Sequence, residues 1–90
     1  MNIWGYKNKI RKVKKELKEL DEKIKSLQER IHWAERDKRK TIKFEEVSYT
    51  LDEAGNFVRG LNRKFDVIIS RLRFFERNLR KEREKRKRKK

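Results

Sequence analysis

The chain contains no cysteine and no proline, a single histidine and only three glycines in 90 residues. Without cysteine there is no disulfide framework and no zinc-thiolate site, and His32 alone supplies neither a metal cluster nor a catalytic centre. Neither metal nor cofactor is expected. No run of about 18 apolar residues exists that could cross a bilayer, and residues 1-10 lack the continuous apolar stretch of a secretory signal. The expected setting is intracellular, in cytoplasm or nucleoid, or within a virion, and nuclear in a eukaryote. Only 33% of the residues are hydrophobic. A chain this short and polar buries too little apolar surface for an enclosed pocket, so neither an enzyme nor a binder of small-molecule substrates is expected.

Half of the chain is charged, with 30 Lys and Arg against 15 Asp and Glu for a net charge of +15. Lys, Glu, Arg and Leu lose little rotamer freedom in a helix, and no proline interrupts one. Apolar residues recur at Ile3, Tyr6, Ile10, Val13, Leu17, Leu20, Ile24, Leu27, Ile31 and Ala34, spaced alternately three and four apart. That is the a/d seam of a heptad helix. A second run, Phe44, Val47, Leu51, Ala54, Val58, Leu61, Phe65, Ile68, Leu72, Phe75 and Leu79, alternates in the same way. The fold class expected is all-α: a long antiparallel two-helix hairpin, coiled-coil-like, assembling as a dimeric four-helix bundle or higher oligomer. Helix 1 is placed at about 3-37, the turn at about 38-43 with Thr41 as a cap, and helix 2 at about 44-80 with a break allowed near 50-60. Residues 81-90 form a basic tail, disordered or helical on binding.

One stretch carries conflicting signals. Residues 42-60 hold β-branched and aromatic side chains and two interior glycines, each costing about 1 kcal/mol against alanine in a helix. Thr50-Leu51-Asp52-Glu53 also fits an S/T-x-x-E capping box, which would start the second helix at residue 51. Residues 41-49 would then be extended, or would pair with residues 57-61 across Asp52-Asn56 as a small hairpin. The unbroken three-four alternation favours helix through most of the segment.

Charge is unevenly distributed. Residues 1-20 carry a net +5, residues 71-90 a net +9, and the fifty between them +1. Folding the chain back at residue 41 brings Ile3 near Leu79 and Ile24 near Val58, so +14 of the +15 gathers where the two termini meet. The residues concerned are Lys7, Lys9, Arg11, Lys12, Lys14, Lys15 and Lys18 in the first helix. In the second they are Arg71, Arg73, Arg77, Arg80, Lys81, Arg83, Lys85, Arg86, Lys87 and Arg88. Such a cluster repels itself unless a polyanion neutralises it, and nucleic acid is the commonest polyanion. DNA is favoured over RNA as the partner. No helix-turn-helix, zinc-finger or RNA-recognition signature accompanies the charge, so the contact expected is to phosphates, indifferent to sequence, as in genome packaging or a viral nucleoprotein. A membrane role is not favoured, because the basic end offers no clean apolar face to insert.

Apolar residues off the seam suggest a second surface. Trp33, Tyr49, Phe57, Ile69 and Phe74 are candidates for a face on which copies of the chain, or a protein partner, pack. A homo-oligomer is expected. The alternative function is a coiled-coil scaffold or adaptor whose basic tail is a solubiliser or electrostatic tether. Trp4 and Tyr6 at the basic end could stack on exposed bases. The abundance of Lys and Glu also resembles proteins from hot environments.

Overall fold

A computed structural model describes residues 2-88, with side chains to residue 87. Two long helices dominate: α1, Ile3–Arg36, and α2, Leu51–Arg88. They run antiparallel in a rod of 66 × 18 × 17 Å. Between them lies a two-stranded antiparallel sheet, β1, Thr41–Phe44, and β2, Val47–Thr50. The helical hairpin expected from the two seams is the fold of the chain. Lys89, Lys90 and the Arg88 side chain, all assigned to the basic tail, lie outside the described residues.

Every seam residue of α1, and every one of α2 from Leu51 to Leu79, is buried or half-buried. The Lys23 ammonium lies 5.8 Å from the centre of the Phe57 ring. Each of these residues immediately precedes a member of the Ile24/Val58 layer, so the two helices meet close to that layer. The expected tail is helical through Arg88, continuous with α2.

The ends of the helices explain where each begins and stops. The Asn2 side chain accepts the Gly5 N–H at 2.8 Å and caps α1. At the other end the Lys38 N–H donates to the Glu35 carbonyl and the Arg39 N–H to the Ala34 carbonyl, at 3.2 and 2.8 Å. These two bonds make a Schellman motif. Its left-handed position is held by Lys38, at φ 58°, where glycine is usual. Helix α2 starts on the capping box: the Glu53 N–H donates to Thr50 Oγ1 and the Thr50 N–H to Glu53 Oε1, both at 3.1 Å.

Residues 44-50, assigned to helix on the strength of the seam, are instead strand and turn. Ile42 and Phe44 alternate with exposed Thr41 and Lys43, a period of two that puts both apolar side chains into the core. Glu45 and Glu46 have φ of 50° and 66°, which gives the two-residue turn that matches strand twist. Val47, a seam position in the helical reading, is 49% exposed. Thr41 opens β1 rather than capping a helix; Thr50 is the cap. The β-hairpin does not reach residues 57-61 either, since Asp52-Asn56 lies inside α2.

The β-hairpin closes the turn end of the rod. Phe44 and Tyr49 meet Phe57 of α2, with ring centres 6.5 and 5.6 Å away. From α1, Arg30 donates to the Lys43 carbonyl at 2.7 Å and lies over the Phe44 ring, and Lys23 pairs with Glu45 at 3.4 Å. Lys23 thus ties α1 to the β-hairpin. Arg39, beyond the end of α1, lies 4.0 Å from Asp37. Within α1, Asp21 and Lys25 pair at 2.9 Å, a hydrogen bond that holds the Lys25 ammonium above its ordinary pKa.

Three outcomes check this account. Gly60 lies inside α2, and a Cβ built there would meet nothing within 4 Å. Gly60→Ala should raise unfolding free energy by about 1 kcal/mol in a denaturant titration. Thr50→Ala should lower it by about 1 kcal/mol through loss of the cap. The Thr50 hydrogen bonds hold the Glu53 carboxyl below its ordinary pKa. Its contribution is therefore complete above the unfolded value and is lost as pH falls through the folded one. An acid titration of stability should show that loss in the wild type and not in Glu53→Gln.

Candidate nucleic-acid interface

The fold sets the basic segments of the two helices side by side at the open end of the rod. Each of Lys7, Lys9, Arg11, Lys12, Lys14, Lys15 and Lys18 is exposed, as are Arg71, Arg73, Arg77, Arg80, Lys81, Arg83, Lys85, Arg86 and Lys87. Among these described side chains only Lys85 has a carboxylate within ion-pair distance, Glu82 at 3.5 Å. The remainder face solvent. Their heptad positions fall all around both helices, so the charge encircles the end and does not form one stripe. Arg73, Arg77 and Arg80 share a shallow groove of about 270 Å³ with Glu76.

Backbone electrostatics adds to this field. No acidic residue occupies the first turn of α1, so the positive end of its dipole lies unneutralised at the basic end. Packing is weakest in the same region: no described residue before Val13 or after Ile68 is buried. Charges within about 10 Å of one another repel through roughly one screening length at 0.1 M salt. Few buried contacts oppose that repulsion here.

The off-seam apolar residues divide into two groups. Tyr49 and Phe57 pack against the chain's own core, and Ile69 is half-buried. Trp33 and Phe74 are 48% and 57% exposed. Val67 is 61% exposed and stands seven residues before Phe74, so the two share one stripe of α2. The heptad phase would have placed Val67 there, because it takes the same outer position as Phe74. Trp4 is exposed at the basic end, whereas Tyr6 is half-buried on the seam.

At the turn end an open cleft of about 610 Å³ is lined by Arg30, Trp33, Arg39, Lys40 and Lys43, with Ala34, Ile42 and the hydroxyl residues Thr41 and Ser48. The summed charge of residues 21-70 conceals this cluster, because the compensating carboxylates lie elsewhere on the surface. Among the described residues no group of His, Asp or Glu is arranged to hold a metal ion, and no helix is long and apolar enough to cross a membrane. Compared with protein-family models, curated proteins and solved structures, the chain has no match.

Proposed function

We propose that the protein binds nucleic acid without regard to sequence, by neutralising phosphates at the open end of the rod, and acts in packaging or in shaping the polymer. The observation that supports this most is the set of sixteen exposed Lys and Arg side chains on adjoining helices, of which, among the described residues, only one is paired with a carboxylate. Each phosphate they contact releases a condensed counterion. Lysines on α1 act as point charges, while arginines on α2 fork onto phosphate oxygens or enter a minor groove. A polymer that neutralises this end also removes the repulsion between the two helices. Copies of the chain associate through the exposed Val67 and Phe74 stripe, which adds avidity along the polymer. DNA is the partner proposed.

The alternative adaptor function would use the same off-seam face. Of its residues Tyr49 and Phe57 pack against the chain's own core and Ile69 is half-buried, which leaves Trp33 and Phe74 exposed for a protein partner.

Reversing Lys12, Lys15, Arg73 and Arg77 to Glu tests the proposal. All four side chains are exposed and unpaired among the described residues, so the helical content of the variant should be unchanged. Duplex affinity, read by electrophoretic mobility shift, should fall by at least about a hundredfold. Reversing Arg59 and Arg63, in the part of α2 nearer the turn, should cost far less. Equal losses from the two sets would overturn the assignment to the open end.

A further inference from the structure

The cleft at the turn end joins features that the open end does not. Its four cations, Arg30, Arg39, Lys40 and Lys43, come from α1, the connector and β1, and no carboxylate lines it. Two hydroxyl residues, Thr41 and Ser48, also line it, as does the half-exposed Trp33. Phosphate oxygens need donors of this kind: guanidinium and ammonium groups for charge, hydroxyls for direction. An exposed indole beside them offers a surface on which a base can stack.

The cleft is also held in shape. Arg30 is tied to the Lys43 carbonyl at 2.7 Å and lies over the Phe44 ring, which fixes the β1 wall to α1. Arg36 lies 5.2 Å from the Trp33 ring centre, a cation–π contact that restrains the indole. Left-handed backbone at Lys38 and at Glu45 and Glu46 brackets the basic segment 39-43 at both ends. None of these three residues is glycine, so the surrounding fold must hold each of them in that conformation.

We propose that this cleft is a second phosphate-binding site, and that one chain bridges two nucleic-acid segments, one at each end of its 66 Å rod. The proposal rests on the nucleic-acid reading of the open end and adds a second point of attachment to it. The open end, with most of the charge, holds one segment tightly. The cleft holds a second more weakly, through fewer contacts. Bridging then draws separate stretches of polymer together, which charge neutralisation at one end does not do.

A capture assay separates the two sites. One biotinylated duplex is fixed to beads, the protein is added, and retention of a second, fluorescent duplex is read together with affinity for a single duplex in solution. The wild type should retain the second duplex. Arg39→Gln, Lys40→Gln and Lys43→Gln together should reduce retention by about tenfold or more while single-duplex affinity changes by no more than about twofold. Far-UV circular dichroism and sedimentation would confirm an unchanged fold and copy number in the variant. Undiminished retention by the triple variant would overturn the proposal and assign bridging to association between chains. Parallel loss of retention and single-duplex affinity would overturn it too, because the two sites would then be one. A wild type that binds a single duplex but retains no second one refutes bridging and leaves the open-end function standing. A wild type that binds no duplex refutes both.

Discussion

Contact between the apolar stripes of α1 and α2 is closest near the turn, where Leu27 and Ala54 are wholly buried, and loosens toward the termini. The β-hairpin produces that gradient. Ile42 and Phe44 enter the core from β1, and Tyr49 and Phe57 cover it, so the turn end has a third layer that the rest of the rod lacks. A bare pair of helices leaves each half exposed to water. Here the sheet closes one end, and the antiparallel order of the helices follows from the short connection it makes.

Charge follows the opposite gradient. It is densest where packing is thinnest, at an end that also receives the positive pole of the α1 dipole. A protein selected for stability alone would place its carboxylates there, yet Glu16, Glu19, Glu76, Glu82 and Glu84 are the only acidic residues among twenty-four in 1-20 and 71-90 that are charged. The arrangement is economical if the missing negative charge is supplied by a ligand. Phosphate density along a duplex, one charge per roughly 1.7 Å of axis, is of the scale needed.

The helical hairpin was legible because heptad spacing is a property of many residues at once, and an isolated misfit does not erase it. The connector was not. Phe44, Val47 and Leu51 keep the three-four alternation across residues that are strand and turn, and local chemistry overrides the pattern: β-branched and aromatic side chains, a reciprocal Thr50/Glu53 cap, and a two-residue turn. The capping box was visible in the sequence. The turn was hidden, since Glu45-Glu46 replaces the Asn-Gly that usually marks one. The basic end could be located by arithmetic once the chain was folded back. The cleft could not, because a net charge summed over fifty residues conceals four cations that only the β-hairpin brings together.

The central claim, that phosphate neutralisation at the open end drives binding, is tested most directly by the salt dependence of affinity for two duplexes of unrelated sequence. The logarithm of the binding constant should fall linearly with the logarithm of salt concentration, with a slope on the order of −6 that is the same for both duplexes. Affinity that does not respond to salt, or no binding of either duplex at about 50 mM salt, would contradict it.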